Sequence, residues 1–231
     1  MISKTFKQLV KPSYKSATLR AFSGSSGSHV VKKESYEEHR TRSLNPATRE
    51  AFWAEQMDEL KWFKKYDKVL DDSKAPLYRW FTGGLTNVSY NCIDRHVEAG
   101  HGEDVAVYYE SAYTKRTRIL TYTDLQDKVA RFSKILANNG VKKGDTVIIY
   151  MPMIPEALIA MHACARIGAI HSVVFGGFAP EELANRINHS KPTVIVTASA
   201  GLEPNKIIPY TGNVDRALQL AGSPEMKRII V

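Results

Sequence analysis

From about residue 103 onward, short apolar runs alternate with amphipathic stretches. Val105 to Glu110 reads as a strand, and Arg118 to Tyr122 as its partner. Leu125, Val129, Phe132 and Leu136 then recur at steps of four, three and four, on one face of a helix. Thr123-Asp-Leu-Gln126 supplies a capping box for it, and Asn139-Gly140 a left-handed exit. After the turn Val141 to Asp145, Thr146 to Tyr150 is a buried strand. Pro155 suits the first turn of a helix that runs to Ile167 and stops at Gly168. Ala169 to Val174 is the next strand, Phe175-Gly-Gly-Phe178 a loop, and Pro180 to Ser190 a helix. Beyond Pro192, Thr193 to Thr197 is a strand, Asn213 caps a helix through Leu220, and Arg228 to Val231 opens another strand.

Strand, helix, strand, helix, strand at this spacing implies right-handed crossovers and a parallel sheet, hence an α/β fold. Ligands of such sheets sit beyond the C-terminal strand ends. Those ends are Met151–Pro155, Phe175–Phe178 and Ala198–Lys206. The chain stops at Val231 inside an apparent strand, so a fragment with an exposed, aggregation-prone sheet edge is expected.

Residues 34–100 follow a different pattern, rich in aromatic and charged side chains. Asn45-Pro46 turns into a helix over Ala47 to Leu60, with Phe52, Met57 and Leu60 on one face. Gly83-Gly84 marks a turn, and Asn87 caps a short helix through His96. The aromatics read as a collar packed onto a neighbouring domain.

Charge changes the picture only at the N-terminus. The 231 residues carry a formal net charge of +8, which by itself points to nucleic acid. Residues 1–33 hold seven of the 32 Lys and Arg and no Asp or Glu, so 25 basic side chains face 24 acidic ones in the remainder. A binder of nucleic-acid phosphates needs its charge on the folded surface, so that class is set aside. A basic, Ser/Thr-rich stretch with Ile2, Phe6, Leu9 and Val10 on one helical side suits a mitochondrial presequence. Arg20-Ala-Phe-Ser23 resembles a matrix-peptidase site, with cleavage after Phe22; a basic tail is the alternative. No apolar run reaches the length of a membrane span. With only Cys92 and Cys164, a disulfide framework is excluded.

Motif chemistry is sparse. Neither GxxxxGK[ST] nor GxGxxG occurs, and Cys92, His96 and His101 fall short of the four ligands of a structural zinc site. In Phe175-Gly176-Gly177-Phe178, two glycines let backbone approach a flat ligand while the flanking rings stack on a base; an ordinary strand-to-helix turn is the plainer reading. Gly201-Leu-Glu-Pro-Asn-Lys206 brings a lysine to the same rim, where it would meet a phosphate or merely water.

Residues 34–231 resemble the N-terminal portion of the acetyl-CoA synthetases, and within them the propionyl-CoA synthetase branch. The resemblance rests on Ser35-Tyr-Glu-Glu38, Pro46-x5-Phe-Trp53, Leu60-Lys-Trp-Phe63, Trp80-Phe-x-Gly-Gly84 and Asn87-x-x-Tyr-Asn-x-x-Asp-Arg-His96. It continues through Leu120-Thr-Tyr122, Val141-x-x-Gly-Asp-x-Val-Ile-Ile-Tyr-Met-Pro-Met153, Pro155-Glu156, Ala163-Cys-Ala-Arg-Ile-Gly-Ala169 and His171-Ser-Val-Val-Phe-Gly-Gly-Phe178. It implies the parallel-sheet subdomain of an adenylate-forming ligase, incomplete and preceded by a mostly helical segment. The divisions are 1–33 as presequence, 34–100 as the N-terminal segment and 101–231 as the start of the AMP-binding domain.

The resemblance also implies a reaction. A short carboxylate, acetate or propionate, attacks the α-phosphate of ATP, giving acyl-AMP and diphosphate. The thiol of coenzyme A then displaces AMP, with Mg2+ offsetting phosphate charge. In this family Phe175, Gly176 and Gly177 help form the coenzyme A nucleotide site. Glu203, Pro204, Asn205 and Lys206 align with a second contact stretch, Arg-Ala-Gly-Arg in acetyl-specific members. A carboxylate cannot bind the 3′-phosphate, so Lys206 is the expected contact. Glu-Pro-x-basic looks more like the propionyl branch. No catalytic or metal-binding residue is assigned, and the ATP and Mg2+ sites are expected mostly beyond Val231, so the chain by itself is expected not to turn over. The mitochondrial matrix is the expected location, with the cytosol as alternative. A non-catalytic product that binds coenzyme A weakly or joins a full-length subunit is the competing reading, and a nucleotide-binding module of another family the third.

Overall fold

Ser35 shows how the N-terminal segment begins. Its hydroxyl accepts a hydrogen bond from the Glu38 N–H while the Glu38 carboxylate accepts from the Ser35 N–H, satisfying two of the free donors at a helix start. The computed structural model describes residues 34–203, 206–222, 224 and 226–231. The expected presequence, residues 1–33, and two of the expected contact residues, Pro204 and Asn205, lie outside the described residues.

Helices α1 (Tyr36–Leu44) and α2 (Arg49–Met57) are followed by a hairpin of β1 (Lys68–Asp71) and β2 (Arg79–Thr82). Helix then outweighs strand again over residues 88–101, where two π-helical stretches, Tyr90–Asp94 and Val97–His101, interrupt the α-form. Helix α2 is shorter at both ends than expected, and the hairpin has no counterpart in the sequence reading. The turn at Gly83-Gly84 forms, with Gly83 at φ +81°, and the Asn87 side chain accepts from the Tyr90 N–H as the expected cap.

The aromatic collar differs from its expectation. Phe52, Trp53, Trp62, Tyr66, Trp80 and Phe81 form a chain of mostly edge-on ring contacts among themselves. Much of the link to the rest of the molecule is polar. Asn87 donates to the Ala165 carbonyl at 2.9 Å, and the Arg166 guanidinium forks onto the buried Asp94 carboxylate. Gln126 donates to the same carboxylate at 2.9 Å. Ile93, wholly buried, adds an apolar contact to the joint, and the His96 and Tyr122 rings meet across it with centroids 4.9 Å apart.

Strands β3 (Val105–Ser111) and β4 (Arg116–Thr121) pair antiparallel, and α3 (Tyr122–Asn138) follows directly. The capping box lies two residues earlier than expected. Thr121, not Thr123, is the N-cap, and Asp124 is its reciprocal partner. Leu125, Val129 and Leu136 are buried as their spacing required, with Phe132 half-buried beside them. Gly140 takes the left-handed exit at φ +95°.

Strand β5 (Thr146–Met151) is apolar almost throughout, so both of its faces must be covered. Helix α4 (Pro155–Ile167), strand β6 (Ile170–Phe175), helix α5 (Pro180–Ser190) and strand β7 (Val194–Thr197) come next in chain order. Where a loop over 201–206 was expected, Gly201–Glu203 (β8) and Lys206–Ile208 (β9) pair antiparallel as a hairpin. Helix α6 (Tyr210–Leu220) begins three residues before Asn213, which is therefore inside the helix and not its cap. Strand β10 (Lys227–Ile230) completes a parallel sheet of order β10-β7-β5-β6.

The pleat of β5 divides the core. Val147, Ile149 and Met151 face α3 and α4, whereas Ile148 and Tyr150 face α5 and α6. At roughly 2 kcal/mol for each large apolar side chain removed from water, these two layers supply the main favourable term. Edge strand β6 is the exception, for Ile170, Val173 and Phe175 stay more than half exposed.

Candidate functional site

Phe175 ends β6 opposite Met151 of β5, at the rim where loops leave the parallel strands. The turn that follows is tight, because the Phe178 N–H returns to the Phe175 carbonyl at 3.0 Å. The two rings meet edge-on with centroids 5.8 Å apart, and the Phe175 ring is 64% exposed. This leaves an aromatic face open to solvent at the sheet rim.

A tyrosine pair beneath holds the loop in place. The Tyr150 hydroxyl donates to the Phe178 carbonyl at 2.8 Å and accepts from the Asn213 side-chain N–H at 3.0 Å. Burial raises the Tyr150 pKa, and the Asn213 donor offsets part of the rise, so the phenol stays neutral and free to donate. The Tyr210 ring lies 4.9 Å from that of Tyr150 at the start of α6. Burial also raises the Tyr210 pKa, with smaller contributions from Tyr150 and the Glu203 carboxylate.

Tyr210 explains the glycines differently from the sequence. A β-carbon on Gly176 would overlap the Tyr210 phenol oxygen, and one on Gly201 would overlap the same ring. On Gly177 it would come within 2.6 Å of the Phe175 ring. The space these glycines leave is thus filled by the protein's own aromatics. Tyr210 brings the Phe175–Phe178 loop and the base of the β8–β9 hairpin together, and sequence reasoning missed it.

Lys206 stands at the hairpin tip, directly across from Glu203. Its ammonium lies 3.3 Å from the Glu203 carboxylate, with side chains 66% and 39% exposed. A second cation was also missed. The Arg186 guanidinium lies over the Phe178 ring at 4.9 Å and pairs with Glu182 at 3.0 Å. Its signal was legible in the Glu182-x3-Arg186 spacing on α5.

An exposed aromatic face with Arg186 against Phe178, and Lys206 at the tip of a hairpin whose base Tyr210 joins to the same loop, suits a nucleotide with phosphates. For a magnesium–ATP group the described residues offer no cluster of three His, Cys, Asp or Glu side chains. The half-buried His162 has its pKa lowered by desolvation and then by the charge of His171. No helix among the described residues is long and apolar enough to cross a membrane.

Parallel strands with ligand-suited loops at their C-terminal ends define an α/β binding fold. Within that class the chain belongs to the AMP-binding enzyme family, whose model matches residues 93–229. The model of the acetyl-coenzyme A synthetase N-terminus matches residues 36–92. Acyl-CoA synthetase short-chain family member 3, mitochondrial, of Homo sapiens is 42% identical over 212 residues, covering 92% of this chain and 30% of that protein. The Bos taurus protein of that name is 46% identical over 171 residues, 74% of this chain and 25% of its own length. Acetyl-coenzyme A synthetase of Magnetococcus marinus is 48% identical over 191 residues, 82% of this chain and 29% of that protein. The chain thus spans about 30% of the length of the curated relatives it matches.

Proposed function

We propose that this chain is the N-terminal part of a short-chain acyl-CoA ligase. Such an enzyme joins acetate or propionate to coenzyme A through an acyl-adenylate, using ATP and Mg2+. The observation that carries the reading is the pair of adjoining family matches, which together run from residue 36 to 229. Propionate is slightly preferred, on the Glu203-Pro-Asn-Lys206 stretch. The division into 34–100 and 101–231 belongs to the same proposal, as does a mitochondrial matrix location. Two features support that location: the acid-free basic stretch of residues 1–33 and the mitochondrial names of several relatives.

In this reading the rim holds the nucleotide of coenzyme A. Phe175 offers its open ring to the adenine, Gly176 and Gly177 form the turn beneath, and Lys206 faces the 3′-phosphate. What coenzyme A supplies when bound is the thiol acceptor. The chain's own contribution is to orient its nucleotide end through a rim kept rigid by Tyr150 and Tyr210. Because the 231 residues contain no glycine-rich phosphate loop ending in lysine, the chain alone binds without turning over.

Isothermal titration with coenzyme A tests the site. Phe175→Ala is expected to weaken binding about 3- to 30-fold, in line with the loss of a stacking face, and Lys206→Ala only about two- to threefold, because Glu203 already holds that ammonium. Unchanged affinity in both removes the site from this rim. Release of diphosphate from the unaltered chain with ATP and propionate would refute the claim of inactivity.

A further inference from the structure

Both cations described at the rim carry a carboxylate of their own. Arg186 is held by Glu182 one helical turn earlier, and Lys206 by Glu203 across the hairpin tip. The second pair is set by the backbone. Glu203 and Lys206 are register partners in the antiparallel ladder, so their side chains emerge next to each other on the two short strands. The tip is therefore neutral in net charge at the place where a phosphate would be recognised.

We propose that Glu203 is a specificity-determining residue of the coenzyme A rim. It occupies the Lys206 ammonium in the free protein and repels an incoming 3′-phosphate, so the chain distinguishes coenzyme A only weakly from its 3′-dephospho form. This inference rests on the rim as the nucleotide site and adds to it which part of the nucleotide goes unread. A phosphate monoester carries up to two negative charges near neutral pH. To reach Lys206 it must displace a carboxylate 3.3 Å from the nitrogen, and the displaced group stays tethered three residues away. Solvent weakens each interaction, since both side chains are partly exposed, so the effect is several-fold and not many orders of magnitude. The Glu203 charge also reaches Tyr210, where it contributes to the raised phenol pKa, so the carboxylate acts on the loop-bearing side of the hairpin.

The test is titration of the 231-residue chain with coenzyme A and with 3′-dephospho-coenzyme A at low ionic strength. The unaltered chain is expected to bind the two within about twofold of each other. Glu203→Gln is expected to favour coenzyme A by about fivefold more than the unaltered chain does, and Glu203→Gln combined with Lys206→Met to lose that gain. An unchanged ratio in Glu203→Gln, with Phe175→Ala still weakening both ligands, overturns the role of Glu203 and leaves the rim in place. If Phe175→Ala weakens neither ligand, or if the chain binds neither, the rim reading falls and the role of Glu203 falls with it.

Discussion

Gly176 and Gly201 belong to different elements, yet each has the space of its missing side chain taken by the Tyr210 ring. A methyl group on Gly176 must push against a ring that is itself buried and packed on Tyr150. Gly176→Ala is therefore expected to destabilise the chain by about 1–3 kcal/mol, the usual range for overpacking. In a Tyr210→Leu background the same substitution should cost clearly less. A double-mutant cycle by urea unfolding reads this coupling, and additive effects would show that the contact is not the cause. The Gly-Gly pair stood out in the sequence, but its partner did not. Tyr210 lies on another element, beyond the hairpin, and only the assembled sheet brings it beneath the loop. The N-cap of α3 was misplaced for a related reason. Thr121 and Thr123 each precede an acidic or amide residue by three positions, and the choice falls to Thr121 because β4 ends there.

Between elements, the decisive contact is Asp94 with Arg166. It joins the helix of residues 88–101 to the last turn of α4, with the two side chains 9% and 27% exposed. Removing one partner of such a pair leaves the other charge stranded in a poorly solvated place. Arg166→Met is expected to cost about 3 kcal/mol by urea unfolding, and limited proteolysis should then release the aromatic N-terminal segment first. Loss of stability with no change in cleavage order would show that Ile93 and Asn87 hold the joint without it. Helices α3, α4 and α5 were legible nearly to the residue, because apolar spacing, proline at the start and glycine at the end act over a few positions. The hairpins β1–β2 and β8–β9 were not. Their strands are only three or four residues long, too short for alternation to register, and each forms because its partner is close in space.

Across the whole molecule, buried titratable groups set how stability varies with pH. Burial in the layer between α3, α4 and the sheet pushes the Cys164 thiol up to about 12 from its ordinary 9.0. Below pH 9 both the folded and unfolded forms keep the proton. Above it the unfolded chain loses the proton first, so stability falls from about pH 9 toward 12. The loss at pH 10 is expected to be about 1 kcal/mol, and Cys164→Ala should remove it. Tyr150 and Tyr210, also raised by burial, add to the decline only above about pH 10. On the acid side, desolvation lowers the His162 pKa, so the unfolded chain takes up the proton first as pH falls through 6.5. Urea midpoints from pH 5 to 10.5 check both limbs, and a flat profile between pH 9 and 10 would contradict the burial of Cys164.

The order of strands and helices from β3 to β7, the rim where loops of the parallel sheet converge, and the motif blocks of the family follow from the amino-acid sequence by itself. Each depends on side-chain periodicity or on short-range backbone preference, which neighbouring residues decide among themselves. Three features were decided only in the tertiary structure: Tyr210 filling the glycines of two separate elements, Glu203 holding Lys206 across a hairpin, and Asp94 anchoring the N-terminal segment to α4. For Tyr210 and Asp94 the partners come from separate elements of the chain, and the packing of helices onto both faces of β5, which excludes water and leaves each group few neighbours, determines which of them meet. Glu203 and Lys206 are three residues apart, and the short β8–β9 ladder sets them side by side.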